Sequence, residues 1–405
     1  MIRTIFTGIA LLVSTFIFAQ QSTSSPYSYF GIGETTFRGT PEQQAMGGLG
    51  ILPDSIHINL LNPASYSSLK LTVITIAGGT NFNTLSTDQT SEKAKRTSLD
   101  YLTFGIPMGK FGVAFGLNAQ TAVGYRIQTV AEDLSNMEQF LGEGGTNRVF
   151  AGAAYQVTPK LSVGADLSYH FGQMENTSKY FQNGVHFGTR IRQETTLNGF
   201  TANLGVMYKS KFQEKYDLYL SSTFNPFYQL DYKTTGNIAS IYQTNSGAEV
   251  VDTSQLLAER QSSFSLPSKV SVGAGIGLAR KWFVGTEAVF SGKNEYTDGS
   301  AMRLSLGGYY IPKYNSFTNY FSRITYRAGL RYENTGIVVN DQTINDMGVN
   351  FGLSFPVGNG FSDIALGMEY GIRGTKNAGL VQENYFNINI GISFGDKWFR
   401  KVLFD

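Results

Sequence analysis

The chain has 405 residues, with 46 glycines, 30 phenylalanines, 23 tyrosines and no cysteine. A formal net charge of +2 leaves no strongly basic or acidic surface, which argues against a nucleic-acid partner, and the lack of cysteine excludes disulfides and thiolate metal sites. Abundant glycine and aromatic residues are typical of a transmembrane β-barrel, whose strands alternate lipid-facing apolar residues with small or polar lumen-facing ones.

The amino terminus has the features of a secretory signal. Arg3 supplies a positive charge, an apolar run extends from 5 to 18, and the small residue Ala19 precedes Gln20. This pattern predicts a signal peptide over residues 1–19, because a spanning helix would need about 20 apolar residues. We therefore expect an exported protein and, if a barrel is present, an outer-membrane location.

A glycine-rich segment with apolar residues but no regular period covers residues 43–69. Turn-forming residues are frequent in it, and Leu49, Ile51 and Leu60 are interspersed among them. Such a segment needs apolar cover that it cannot supply for itself. The sequence thus predicts that residues 20–69 form an extended lead-in (22–40) and a plug (43–69), which the rest of the chain encloses.

Period-two alternation predicts fourteen strands between residues 70 and 395. Six short turns alternate with longer loops, so we expect the short turns, both termini and the plug on the periplasmic side, with 396–405 as a periplasmic tail. The predicted fold is all-β, a 14-stranded antiparallel transmembrane β-barrel with an N-terminal plug, closed because unpaired backbone cannot face lipid. The predicted strands are 71–84, 96–106, 111–127, 146–157, 161–174, 187–208, 216–232, 264–278, 282–290, 301–311, 321–333, 347–357, 361–373 and 385–395.

The plug carries a family resemblance. Asn62-Pro63-Ala64, after a Gly-Gly turn and an Asp-Ser pair, resembles the N-terminal hatch of the FadL-like outer-membrane transport family, in which such a turn precedes the first strand. The resemblance implies a fourteen-stranded barrel that transports long-chain fatty acids or other hydrophobic compounds. It identifies as hatch residues Gly47, Gly48, Asp54, Asn62, Pro63 and Ala64.

Several charged residues are predicted to face the lumen on strands 321–333 and 361–373. Two interpretations stay open, because these residues either pair with one another and support the plug or form a polar gate along a substrate path. The possible gate residues are Arg323, Arg327, Arg331, Glu369 and Arg373.

Two of the long connections contain more apolar residues than solvated loops usually do. In the segment 130–141, Val130, Leu134, Met137 and Leu141 recur at helical spacing. The connection 233–263 is also rich in apolar residues. We expect these segments either to pack together as a lid or to form an apolar capture groove on the outer side.

No sequence motif predicts an enzyme. The alternating glycines from 273 to 277 lack the helix of a dinucleotide-binding loop, so they are interpreted as a lumen-facing row. His57, His170 and His186 show no metal-ligand spacing. We therefore expect no catalytic residues, no cofactor and no metal.

Two functions remain open from the sequence. The first is outer-membrane transport of small hydrophobic, fatty-acid-like compounds through the plugged barrel, with a sideways or downward exit. The second is a structural or shuttle subunit of a larger envelope or secretion complex. The expected partners are hydrophobic small molecules or lipid, the outer-membrane lipid itself and, for the second function, other envelope proteins.

Overall fold

The computed structural model describes residues 23–131, 135–243, 249–293, 299–316, 318–357 and 362–397. The predicted signal peptide and most of the predicted tail lie outside them. The strands are β1 (Glu34–Thr35), β2 (Thr72–Ser86), β3 (Ser91–Met108), β4 (Phe111–Val123), β5 (Arg126–Val130), β6 (Asn136–Gln156), β7 (Leu161–Gln182), β8 (Gly188–Phe212), β9 (Tyr216–Asn225), β10 (Tyr228–Gln243), β11 (Glu249–Leu266), β12 (Lys269–Leu278), β13 (Trp282–Ser291), β14 (Ala301–Tyr310), β15 (Thr325–Val339), β16 (Gln342–Val357), β17 (Ser362–Arg373) and β18 (Gln382–Asp396).

Helical segments are few and short. An α-helical turn spans Pro41–Gln44, and 3₁₀ turns span Pro26–Tyr29, Pro63–Ser68, Phe321–Arg323 and Asn377–Gly379. No helix in the described part of the chain is long and apolar enough to cross a membrane.

The strands close into one antiparallel barrel, because β18 pairs with β2. Three wall strands are interrupted, so that β4 continues as β5, β9 as β10 and β11 as β12. The two pieces of each interrupted strand continue the same pairing register. For example, Asn225 on β9 faces Lys269 on β12, and Tyr228 on β10 faces Leu266 on β11. With each interrupted pair counted once and the two-residue β1 left out, the described residues form a wall of fourteen strands, which confirms the prediction.

The predicted lipid and lumen faces are confirmed along β7. Leu167 is 59% exposed on the outer surface, whereas its neighbour Ser168 is 1% exposed and points inward. The same alternation continues through Tyr169 and His170. Apolar outward residues therefore form the surface that lipid covers, and small or polar residues face the interior.

The two apolar connections were wrongly predicted as loops. Residues 126–130 and 136–156 form the β5–β6 hairpin, so Val130 and Leu141 lie on strands and not on a helix, despite their helical spacing. Residues 228–243 and 249–266 form the β10–β11 hairpin. The first of these segments forms a strand because β6 stays paired with β7 up to Gln182. This pairing satisfies the backbone N–H and C=O groups of β6, which in a helix would bond to one another. Leu134 lies outside the described residues.

Candidate transport site inside the barrel

The plug has its own internal framework, built on two asparagines. The Asn59 side chain donates to Gly50 O at 2.7 Å and accepts from the backbone of Leu61 and Asn62. Asn62 is extended, and its Oδ1 accepts from Ala64 N at 3.0 Å, which caps the 3₁₀ turn that starts at Pro63. These bonds fix an irregular chain that has no ladder of its own, because each buried backbone group needs a partner.

The Gly47–Gly48 turn lets the chain reverse after the short helix. Both glycines have positive φ, +75° and +85°, where a residue with a Cβ would be strained. Gly47 N and Gly48 N donate to Gln44 O and Gln43 O at 2.9 and 2.8 Å. This turn directs Leu49 and Ile51 into the interior, where they are 1% and 0% exposed.

A ring of lumen-facing glycines on the wall, here called the glycine belt, receives the plug. A Cβ on Gly112 would lie 1.9 Å from Tyr66 O, and one on Gly307 would lie 2.3 Å from Met46 O. Any larger residue at these positions would collide with the plug backbone. The belt consists of Gly105, Gly112, Gly164, Gly205, Gly273, Gly307, Gly329 and Gly352.

Hydrogen bonds between the plug and the wall also fix the position of the plug. Gly50 N donates to Glu287 Oε2 at 2.7 Å, and Ser305 Oγ donates to Gly47 O at 2.7 Å. Asn62 Nδ2 donates to Val206 O at 3.3 Å. Of the predicted hatch residues, Gly47, Asn62, Pro63 and Ala64 therefore lie where the plug contacts the wall. Asp54 instead bonds within the plug, to Ile56 N and His57, and a role of these residues as a hatch stays a prediction.

The wall is incomplete between β3 and β4. Their pairing ends at Tyr101 and Asn118, after which β3 stays on β2 and β4 continues on β6. The freed edge of β4 is occupied from inside by β1, with Thr35 opposite Thr121. The lead-in thus takes the place of a missing stretch of wall.

The lead-in also lies against the break in the same wall strand. A Cβ on Gly124 would lie 2.0 Å from Thr23 O, and Gly124 N donates to Ser28 Oγ at 3.1 Å. Beside β3, a small polar pocket of about 90 Å³ separates β1 from Ser98 and Asp100. β1 is therefore bonded to the wall on one edge only.

A buried charge cluster fixes the lead-in to the opposite wall. Arg373 Nη2 lies 2.6 Å from Glu34 Oε1 and 3.0 Å from Asp346 Oδ2. Arg331 Nη2 lies 3.0 Å from Asp346 Oδ1 and 2.8 Å from Glu369 Oε1. The charge cluster comprises Glu34, Arg38, Arg331, Asp346, Glu369 and Arg373.

This cluster controls the ionisation of Glu34. Burial alone would raise the pKa of Glu34, but the guanidinium groups of Arg373 and Arg38 outweigh it and hold the pKa below its ordinary value. Glu34 is therefore ionised at neutral pH, and its charge ties β1 to β17.

The structure brings together only part of the predicted gate. Arg331, Glu369 and Arg373 meet in the charge cluster. Arg327 is buried and donates to the hydroxyl of Ser354, whereas Arg323 lies in a 3₁₀ turn before β15, not on the strand predicted at 321–333. A role for the five residues as a gate stays a prediction.

Sequence reasoning missed the partners that complete the cluster. Glu34 and Arg38 come from a lead-in to which we assigned no structure, and Asp346 lies just before a strand predicted to start at 347. Extending the lumen-facing alternation of β16 by one residue would have included Asp346. The lead-in residues carried no sequence signal.

A chamber of about 430 Å³ lies between the lead-in, the plug and the wall. Glu34 and Thr35 line it as well as filling the wall gap, so displacement of β1 would connect the chamber to the gap. Its apolar lining includes Phe30, Ile32, Leu60, Leu61, Phe264 and Val289, and its charged lining includes Arg148, Lys269, Glu287 and Arg303.

Comparison with known proteins finds one matching family and several solved structures with a similar fold. A family model described as BamG matches residues 1–405, and no curated protein matches the sequence. The CymD monoaromatic hydrocarbon channel superimposes with a TM-score of 0.58 at 14% identity, covering 91% of this chain and 99% of that one.

Two further channels give similar superpositions. The toluene transporter TbuX of Ralstonia pickettii has a TM-score of 0.57 at 14% identity, with 87% and 97% of the two chains covered. A FadL homologue from Pseudomonas aeruginosa has a TM-score of 0.54 at 10% identity, with 89% and 99% covered. At these identities the likeness establishes the fold, which confirms the FadL-like resemblance of the sequence.

Proposed function

The chain belongs to the BamG family, and we propose that its barrel transports small hydrophobic compounds across the outer membrane through the chamber and the wall gap. Fatty-acid-like molecules, with an apolar chain and a polar end, suit the mixed lining. The observation that carries the proposal is that Glu34 and Thr35 line the chamber and also pair with β4 where the wall is open.

The chamber has the size and lining of a small-molecule site. Its volume of about 430 Å³ falls within the range of roughly 300 to 1,000 Å³ found for ligand pockets. Phe30, Leu61 and Phe264 give apolar contact, while Arg303 and Lys269 offer cationic groups for the polar end of a ligand.

The wall gap supports a sideways exit. A compound that leaves between β3 and β4 enters lipid directly. It avoids the aqueous phase, where exposure of its apolar surface to water would be unfavourable. The backbone ladder holds β1 by two residues, Glu34 opposite Ala122 and Thr35 opposite Thr121, so the ion pair of Glu34 with Arg373 is the main interaction that must break for β1 to move. The plug can then remain in its belt during transport.

A disulfide across β1 and β4 tests this route. Thr35→Cys with Thr121→Cys links two directly opposed residues, and the chain has no other cysteine. We expect the oxidised double variant, reconstituted in lipid vesicles, to lose uptake of a fluorescent fatty acid, and dithiothreitol to restore it. The measurement is the initial rate of probe entry.

The matched control is Thr80→Cys with Thr97→Cys, an opposed pair between β2 and β3 whose hydroxyls are 3.1 Å apart. Its oxidation should leave uptake unchanged, since both strands already form continuous wall. Uptake that survives the Thr35–Thr121 link would reject the route through the gap. If the unmodified barrel admits no more probe than empty vesicles, the transport function itself fails.

One observation favours the second function, a subunit of a larger envelope complex. The β10–β11 hairpin extends the wall on one side, and all residues from 251 to 260 are exposed, with Leu256 at 83%. Exposed apolar residues on a strand are suited to contact with another protein. Stable co-purification of envelope proteins that is lost in Leu256→Asp would support this function.

A further inference from the structure

Four polar side chains meet where the plug contacts the wall near the short-turn end of the barrel. Glu42 lies on the helix before the plug, Asp54 and His57 lie in the plug, and Asp363 is the second residue of β17. His57 Nε2 is 2.8 Å from Asp363 Oδ2. The ligand atoms of Glu42, His57 and Asp363 lie within 4.8 Å of one another.

We propose that Glu42, His57 and Asp363 bind a divalent transition-metal ion of the zinc type. One imidazole nitrogen and two carboxylate oxygens are a donor set that such ions take, with an open position left for water. At metal–ligand distances of about 2.0 to 2.2 Å, tetrahedral donors lie roughly 3.4 Å apart. Shifts on the order of 1 Å would therefore convert the present spacing into a coordination shell.

Asp54 supplies the outer partner that a ligating histidine needs. Its Oδ2 lies 2.8 Å from His57 Nδ1, while its Oδ1 accepts from Ile56 N at 3.0 Å. A carboxylate that holds one ring nitrogen fixes the tautomer and aims the other nitrogen at the metal. Here the other nitrogen, Nε2, points at Asp363.

Asp363 gives an independent indication of a missing ligand. The residue is 6% exposed, and its Oδ1 is buried with no hydrogen-bond partner among the described residues. A buried carboxylate oxygen without a donor is costly. A bound cation would satisfy it.

The local charge balance points the same way. Three carboxylates, on Glu42, Asp54 and Asp363, gather around one imidazole, and the nearby Arg327 acts on Asp54. A bound ion takes the imidazole in its neutral form and displaces its second proton. The three carboxylates and Arg327 then leave two negative charges, which one divalent ion neutralises. The His57 side chain is 15% exposed and that of Asp54 is 41% exposed, so an ion can reach the cluster.

Such an ion would connect the N-terminal segment to the wall, because Glu42 directly precedes the plug, His57 lies in the plug and Asp363 lies on β17. The site is separate from the chamber and the wall gap, so it stands whether or not the barrel transports. No sequence pattern indicates it, since Glu42 and His57 are 15 residues apart and Asp363 is a further 306 residues along the chain.

Zinc binding to the folded, chelator-treated barrel in detergent tests the proposal. Equilibrium dialysis with Zn²⁺ should give one tightly bound ion per chain, and X-ray absorption should show one nitrogen and two or more oxygen neighbours at about 2.0 to 2.2 Å. Glu42→Gln and Asp363→Asn should each weaken binding at least tenfold. Asp54→Asn should weaken it about 10- to 100-fold without changing the stoichiometry.

His186→Gln, which alters an exposed histidine far along the chain, controls for binding to surface imidazoles and should leave the tight ion in place. Equal zinc binding by the unmodified barrel and by the triple variant Glu42→Gln, His57→Gln, Asp363→Asn would overturn the proposal. The absence of saturable binding by the unmodified barrel would also overturn it. Heat-modifiable gel mobility shows that each variant is folded, so a loss of zinc cannot be attributed to unfolding.

Discussion

The plug and the lead-in are consecutive in the chain, yet the wall holds them by different interactions. The plug is fixed by shape, because its backbone lies in the glycine belt and its apolar residues Leu49, Ile51 and Leu60 are sheltered there. The lead-in is fixed by charge, through Glu34 and Arg38.

We propose that the plug is a permanent closure and that the lead-in is a movable one. A closely packed plug cannot shift by a small amount at low cost, since any displacement leaves a cavity and exposes apolar surface. Ion pairs respond to pH and to substitution of a single partner. We therefore expect the plug to keep ions out of the lumen and the lead-in to be the element that moves.

The largest effect should come from removing the plug. Deletion of residues 43–64 should leave a folded barrel, because the ladder closes through β18 and β2 without it, but one that conducts ions in planar bilayers. Deletion of residues 23–36, which removes β1 and leaves the plug, should give much smaller conductance. An unchanged single-channel conductance after the first deletion would show that this segment does not block the lumen.

The second effect concerns the charge cluster. Asp346→Asn removes the carboxylate that faces Arg38, Arg331 and Arg373 at 3.0 to 3.1 Å, and a buried pair broken on one side costs about 3 to 5 kcal/mol. Hydrogen exchange in β1 should accelerate while exchange in the plug changes little. Glu333→Gln is the control, because it removes a partner of Arg331 at 3.0 Å but leaves the contacts of Arg38 and Arg373 with Asp346 in place, and it should accelerate exchange in β1 much less. Equal acceleration in both segments would show that they are not held separately.

The converse substitution should loosen the plug and leave the lead-in in place. Gly112→Ala puts a methyl group 1.9 Å from Tyr66 O, and overpacking of this kind costs about 1 to 3 kcal/mol. Exchange should accelerate around the 3₁₀ turn Pro63–Ser68. Gly292→Ala, whose Cβ would have its nearest neighbour at 3.3 Å, is the control. Normal protection of the turn in Gly112→Ala would mean that the belt does not determine where the plug lies.

The smallest effect is a pH dependence of the lead-in. Because the folded-state pKa of Glu34 is lowered from an ordinary value of 4.5, its contribution is fully present above that value and is lost as the pH falls through the folded-state pKa. The protection of β1 amides, which is the exchange rate measured relative to the intrinsic rate at the same pH, should therefore fall below about pH 4.5. In Glu34→Gln this protection should already be lower at neutral pH and should lose its pH dependence. A flat profile in the unmodified barrel would contradict the assignment.

Local chemistry was enough to predict the wall. Alternation of apolar and small or polar residues is present in each strand. The sequence alone therefore predicts that Leu167 faces outward and Ser168 inward, as they do in the barrel. The turn residues likewise determine backbone conformation locally, Gly47 and Gly48 because they lack a Cβ and Asn62 and Pro63 through their own side chains. The strand count and the existence of a plug result from such local rules.

The heights of the strands and the contents of the lumen needed the tertiary structure. The sequence of residues 130–141 fits a helical period as well as a strand, and pairing with β7 selects the strand for residues 136–141. Glu34 pairs with Arg373, which also pairs with Asp346, although hundreds of residues separate Glu34 from both, and no pattern within either segment specifies this contact. Local periodicity records which way a side chain points from its own backbone, whereas barrel closure determines what it then faces.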